Sequence, residues 1–136
     1  MILGLGNDLI RTSRIAAVWQ RHGDRFCHKL LMPAEQAALA DVADPVNRLA
    51  KAFAAKEALV KALGTGFRGV SHVDSGVLRA VNGAPRLVFS ARLAGVLQTR
   101  GIQQAHLALT DQDDWVLATV VLEGSGPRRP SPLEIV

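Results

Sequence analysis

One run of helix-forming residues, Lys51-Ala-Phe-Ala-Ala-Lys-Glu-Ala-Leu-Val-Lys-Ala-Leu63, leads without interruption into Gly64-Thr65-Gly66. Ala, Leu, Lys and Glu are strong helix formers, and Gly64 stands where a left-handed C-cap is wanted. At about 100° per residue, Leu49, Phe53, Val60 and Leu63 share one face, the one expected to be buried. Lys56 falls inside that apolar arc, where a lysine snorkels its ammonium out of a core edge. Glu57 and Lys61 lie one turn apart on the flank, beside Ala50 and Ala54, whose small side chains leave room for a ligand. Taken alone, this Glu/Lys spacing also describes a surface pair worth roughly 0.2–0.5 kcal/mol.

The first ten residues supply a second carboxylate. Ile2 to Ile10 reads as a buried strand whose alternation puts Ile2, Gly4, Gly6, Asp8 and Ile10 on one side. The two glycines clear space there for another backbone or a ligand. A carboxylate on such a side is costly unless paired or metal-bound, so Asp8 is either a site residue or the residue that ends the strand and caps the next helix. Gly4-Leu-Gly6 is no dinucleotide fingerprint, because the third glycine would fall at Leu9.

Residues 12–22 suit a helix capped by Thr12 or Ser13, with Ile15, Val18 and Trp19 on its apolar face. Arg11, Arg14, Arg21, Arg25 and Lys29 crowd this segment against Asp24 alone, and they account for much of the net charge of +4. The cluster is either a solvated basic face or a docking surface, and an acidic protein, a phosphorylated cofactor or a nucleic acid would each suit the charge; with 4% aromatics and no Tyr to stack on bases, nucleic acid is the weaker choice. Asp24 to Leu31 is ambiguous. Pro33 opens a short helix to about Val42 with Glu35 in its first turn, and Asp44-Pro45 marks the break before the central helix. The loop Gly64 to Gly69 could cradle phosphate through its backbone and Arg68, or serve as a plain linker. Val73 to Val81 and Pro85 to Phe89 form a hairpin around Asn82-Gly83, Ser90 caps a helix to about Thr99, and Gln104 to Thr110 pairs with Trp115 to Glu123. His22, His28, His72 and His106 read as structural or solvated. Residues 1–123 make one domain, and 124–136, rich in Pro and Gly, a loose tail. The single Cys27, the absence of a leader-like start and the lack of any 20-residue apolar run point to a cytoplasmic protein without membrane spans.

Asp8 upstream of Arg14-Ile15, followed by Phe53-Ala-Ala-Lys56-Glu57-Ala-Leu-Val-Lys61-Ala-Leu-Gly-Thr-Gly66, closely resembles the holo-acyl carrier protein synthase group of 4'-phosphopantetheinyl transferases. Arg25-Phe26, Pro33-Ala-Glu35, Asn82-Gly-Ala-Pro85, His106-Leu-Ala-Leu-Thr-Asp111 and Ala118-Thr-Val-Val-Leu-Glu123 occur in the family's order, so the resemblance covers residues 1 to about 123. It implies an α+β fold, with helices packed on a curved antiparallel β-sheet, and a homotrimer with active sites at subunit boundaries. The implied reaction moves 4'-phosphopantetheine from coenzyme A to a serine of apo-acyl carrier protein. Asp8 and Glu57 match the metal positions, holding Mg²⁺ or alternatively Mn²⁺, and Lys61 matches the lysine beside the pyrophosphate. Lys56 takes a supporting place near the cofactor, Gly64, Thr65 and Gly66 wrap its phosphates, and Pro85 lies against it. Arg14 docks the acidic carrier, with Arg11, Arg21 and Arg25 as neighbours. Glu57, or a water held by the ion, takes the serine proton.

Two positions depart from the family pattern. Many members carry Arg where this chain has Ala52, which leaves Lys51 as the nearest cation. Many also end the penultimate strand in His, where this chain has Asp111, so Asp111 enters as a third catalytic candidate. These departures motivate an alternative: a non-catalytic relative that grips an acidic protein or nucleic acid through its basic N-terminal helix.

Overall fold

The computed structural model describes residues 1–125; most of the expected tail, residues 126–136, lies outside them. In chain order the elements are β1 (Ile2–Arg11), α1 (Thr12–His22), α2 (Asp24–Leu30), α3 (Pro33–Leu39), α4 (Pro45–Leu63), a 3₁₀ turn (His72–Asp74), β2 (Ser75–Arg79), β3 (Pro85–Phe89), α5 (Ala91–Thr99), β4 (Ile102–Gln112) and β5 (Trp115–Gly124). The architecture is α+β. Its strands form two antiparallel sheets, β1-β5-β4 and β2-β3, with β3 lying alongside β4. No helix among the described residues is long and apolar enough to cross a membrane.

Local chemistry sets the ends of the elements. Asp44 caps α4 by accepting from Asn47 N at 3.0 Å, Pro45 occupies its first turn, and Gly64 closes it at φ 77°. Ser90 caps α5 through Leu93 N at 3.2 Å. The first turn of α1 is secured differently from expectation: neither Thr12, Ser13 nor Asp8 caps it, and Thr12 N instead donates to Asp114 O at 2.7 Å, across from the β4–β5 turn. The ambiguous stretch before Pro33 is helix α2. The helix at Pro33 stops at Leu39, and Val73 belongs to the 3₁₀ turn, so the strand after it begins only at Ser75. The hairpin turns over Ala80 to Ala84, with Gly83 at φ 83° and Asn82 Oδ1 accepting from Ala84 N.

Helix α4 is buried on almost every side. Leu49, Ala50, Ala54, Ala55, Ala58 and Leu59 are all 0% exposed, and only a stripe carrying Glu57 and Lys61 reaches the surface. Ala50 and Ala54 therefore leave no room for a ligand; their size lets neighbouring elements close on the helix. Against β1 the approach is closer still. A Cβ on Gly6 would fall 2.6 Å from Ala62 N and 3.0 Å from Lys61 Cβ, and one on Gly4 would collide with Ala62 O. The glycines expected to admit a backbone or a ligand admit the backbone of α4. The opposite face of this sheet carries Leu5, Leu9 and Trp115, which are 66%, 57% and 37% exposed.

Gly6→Ala is expected to push α4 off β1 and destabilise the fold by about 1–3 kcal/mol, the usual cost of overpacking. Denaturant titration checks this, and a change under about 0.5 kcal/mol, typical of a neutral surface site, would show that the contact yields freely.

Candidate active site

Strand alternation puts Asp8 on the face of β1 that meets α4, one step beyond Gly6, and the closeness that Gly6 permits brings it to the open stripe of the helix. Asp8 Oδ1 accepts from Lys61 Nζ at 2.9 Å, and the same ammonium donates to Asn7 O at 3.1 Å. The Asp8 side chain is 15% exposed and that of Lys61 52%, so the pair sits at the bottom edge of an open site. Lys61 thus pairs with a strand residue and not with Glu57 one turn back. Burial pushes the Glu57 carboxyl above its ordinary value, the charge of Asp8 pushes it further, and Lys61 and Arg14 oppose both. Asp8, Glu57, Lys61 and Arg14, drawn from β1, α4 and α1, consequently form one electrostatic cluster.

That cluster fits a hard divalent cation. The charge of Asp8 raises the cost of ionising Glu57, and oxygen donors on a partly open surface leave positions for water and phosphate oxygens, as Mg²⁺ requires. Asp8 and Glu57 would hold the ion. No group of three or more His, Cys, Asp or Glu side chains among the described residues could hold a metal by itself.

The loop after α4 differs from a phosphate cradle. Gly64 N donates to Val60 O at 3.1 Å and to Lys61 O at 3.0 Å, and Gly66 N donates to Val60 O at 3.3 Å. Both glycine N–H groups are spent closing the helix, while Thr65 Oγ1 donates to Gly66 O. The Thr65 backbone N–H is not spent in this way, and the Arg68 side chain is exposed. The loop is braced from below, because Phe67 stacks on His72 at 3.9 Å between ring centroids, and His72 stacks in turn on Phe53. His72 is structural, and burial lowers its pKa.

Lys56 is not a cofactor contact. It is 0% exposed, and its ammonium donates to Leu30 O and to Glu35 Oε1, the latter at 2.6 Å. Glu35 is itself 5% exposed; Oε1 also accepts from Met32 N at 3.1 Å, and Oε2 accepts from Val77 N at 3.0 Å. Snorkelling fails because α2, α3 and β2 close over the lysine on all sides. Sequence reasoning missed Glu35 as its partner. The signal available was the unpaired charge inside the apolar arc, which demanded a carboxylate without saying which.

Asp111 and Pro85 stand apart from the cluster within one chain. Asp111 belongs to β4 and Asp8 to β1, with β5 between, which puts the two strands about 10 Å apart. Asp111 Oδ2 accepts from Asn47 Nδ2 at 3.0 Å and lies 3.7 Å from Lys51 Nζ. Pro85 opens β3 in the second sheet. Ala52 is 2% exposed, so the departure at that position faces the core. Of the arginines, Arg14 borders Glu57, whereas Arg11 is turned to the other face of the sheet, where it pairs with Asp114 at 3.3 Å and covers the Trp115 ring at 4.2 Å. Arg25, His22 and Lys29 rim a depression between α1 and α2 floored by Val18 and Phe26, and Arg21 is in the same last turn of α1 as His22.

Residues 4–120 match the family model described as the 4'-phosphopantetheinyl transferase superfamily. The chain is similar to holo-[acyl-carrier-protein] synthase of Thiobacillus denitrificans, at 43% identity over 92% of this chain and 96% of that protein. The crystal structure of holo-[acyl-carrier-protein] synthase from Neisseria meningitidis superposes with a TM-score of 0.88 at 40% identity, over 90% of this chain and 99% of the other. The Bacillus anthracis holo-(acyl-carrier-protein) synthase in complex with CoA (3',5'-ADP) superposes with a TM-score of 0.77 at 31% identity, over 92% of this chain and 99% of the other.

Because its pKa is raised, ionised Glu57 works against the folded state. The folded chain holds that proton above the ordinary value of 4.5, so stability falls as pH rises from there through the raised folded value. Glu57→Gln is expected to unfold at a higher temperature than the parent at neutral pH and to lose that advantage below about pH 4.5. Thermal melts across pH check this; a variant that melts lower at neutral pH would show that ionised Glu57 stabilises the fold.

Proposed function

The chain belongs to the 4'-phosphopantetheinyl transferase superfamily, and on that footing we propose that it is a holo-[acyl-carrier-protein] synthase. It transfers 4'-phosphopantetheine from coenzyme A to a serine of apo-acyl carrier protein and releases adenosine 3',5'-bisphosphate. The observation that carries this reading is the cluster of Asp8, Glu57 and Lys61, a cation site with its own lysine beside it, held between β1 and α4.

The serine oxygen attacks the phosphorus that bears the pantetheine arm, the phosphoanhydride bond breaks, and the bisphosphate leaves with the bonding electrons. Such transfers depend on positioning and charge neutralisation more than on covalent chemistry by the protein. Asp8 and Glu57 would hold Mg²⁺, or Mn²⁺ in its place, which would supply neutralisation of pyrophosphate charge and polarisation of its oxygens. Lys61 exchanges Asp8 for the pyrophosphate and offsets charge on the leaving group. Glu57, beside Asp8 and Lys61, is placed to accept the serine proton. Asp111 keeps an indirect role by anchoring Lys51, and Thr65 and Arg68 border the path of the phosphates. Pro85 comes to the cofactor only from a neighbouring subunit.

A homotrimer supplies that neighbour, and the exposed outer face of the three-stranded sheet, with Leu5, Leu9 and Trp115, supports it. The carrier docks on α1 and α2, where Arg14, Arg21, Arg25 and Lys29 face an acidic helix and the Val18–Phe26 floor receives its apolar residues. Acyl carrier protein of fatty acid synthesis, in the cytoplasm where a lone buried thiol such as Cys27 stays reduced, is the natural substrate. A non-catalytic module loses its motivation at Ala52, because that side chain packs in the core.

Incubation with coenzyme A, Mg²⁺ and apo-carrier should add one phosphopantetheine to the carrier by mass spectrometry, and Asp8→Ala or Glu57→Ala should slow this about a hundredfold or more. No gain of mass with any of several carriers sinks the assignment. Arg21→Glu and Arg25→Glu should raise the KM for carrier and leave that for coenzyme A, whereas Arg14→Glu should disturb both because it borders Glu57; equal effects of all three on both substrates would refute this division. Leu5→Lys/Leu9→Lys should sediment as a monomer, and a variant that stays trimeric would move the subunit contact elsewhere.

A further inference from the structure

The mechanism makes no use of Lys56, the largest fully buried side chain among the described residues, or of Glu35 that holds it. An apolar pair of equal volume would serve stability as well or better, because two charges taken out of water rarely repay their desolvation. Their geometry gives another reason for the pair. The anchor is immobile: Glu35 receives Met32 N from the start of α3, Val77 N from β2 and Lys56 Nζ from α4, and Lys56 also caps the α2 carbonyl of Leu30. Lys56 and Glu57 share a peptide unit and point about 100° apart around α4, so whatever fixes one aims the other. Gly4 and Gly6 set how close α4 comes to β1, but a close approach along a line sets distance and does not by itself set rotation about the helix axis. A carboxylate roughly 6 Å from that axis moves about 2 Å in a 20° roll, and a 1 Å misplacement at a reacting centre costs about a hundredfold in rate.

We infer that Lys56 and Glu35 are positioning residues for Glu57: their buried ion pair stops α4 from rolling and so keeps Glu57 aimed at Asp8 across the cation site. This rests on the reading of Asp8 and Glu57 as the metal-binding pair. The carboxylate that defines the site is thus oriented through its sequence neighbour, from an adjoining face of the helix, by a corner formed where α2, α3 and β2 meet.

Two variants test this. Lys56→Met/Glu35→Gln removes both charges at nearly constant volume, and Glu35→Asp keeps both charges but shortens the anchor by one methylene. Mn²⁺ affinity is measured by electron paramagnetic resonance on the protein without coenzyme A or carrier, and kcat and KM are measured with both, well below each variant's Tm. Each variant should bind Mn²⁺ about tenfold more weakly and lose about ten- to a hundredfold in kcat, with kcat falling more than KM rises. A folded variant with parental Mn²⁺ affinity and kcat overturns the inference, as does a loss that only tracks the unfolded fraction. If the double variant does not fold, Glu35→Asp decides alone. Parent protein that neither binds Mn²⁺ nor modifies a carrier removes the site reading and this inference with it, whereas a parent that does both leaves the variants to judge the inference separately.

Discussion

The ammonium of Lys56 has no water to turn to, and much of this fold is arranged around that fact. A charge buried at 0% exposure persists only where fixed acceptors replace its hydration, and here they come from the last residue of α2 and from a carboxylate at the start of α3. Burial lowers the lysine's pKa, and the charge and hydrogen bond of Glu35 oppose that shift. Glu35 extends the constraint to β2 through Val77 N. Four elements are therefore tied at one point by directional bonds, where apolar packing alone would permit sliding.

The other side of α4 obeys a steric rule. Gly4 and Gly6 on β1 meet Ala58 and Ala62 on the helix, and no Cβ fits between the backbones. Small residues there set distance, and the ion pair on the far side sets rotation. Glu57 and Lys61 are left on the single stripe that neither contact covers, which is why a helix so thoroughly enclosed can still carry a site.

Much of this was readable from the chain. Asp8, Glu57 and Lys61 are brought together as the glycine-cleared strand and the uninterrupted helix led one to expect, and the strand pairs, the Ser90 cap and the Gly64 terminus follow from local chemistry. What periodicity could not supply were facts about partners. Lys56 looked like a lysine at a core edge because nothing local says that α2 and α3 fold over it. Gly64 and Gly66 looked like phosphate donors because a glycine-rich loop and a helix cap spend their N–H groups on different acceptors, and only the fold shows which. Arg11 looked like a neighbour of Arg14, yet the strand period turns it to the opposite face of the sheet, onto Trp115. Asp111 and Pro85 sit on strands whose distance from Asp8 depends on sheet order, which local periodicity does not contain.

Asp8 lies near the start of the chain and Glu57 in its middle, and no covalent staple joins them. A ligand gripped by both carboxylates is in effect a removable cross-link between the first strand and the central helix. The unfolded chain cannot offer the same grip, so the folded population rises with the logarithm of ligand concentration once the site begins to fill. On the proposed cation site, the protein's lifetime would then follow the supply of the ion that fills it.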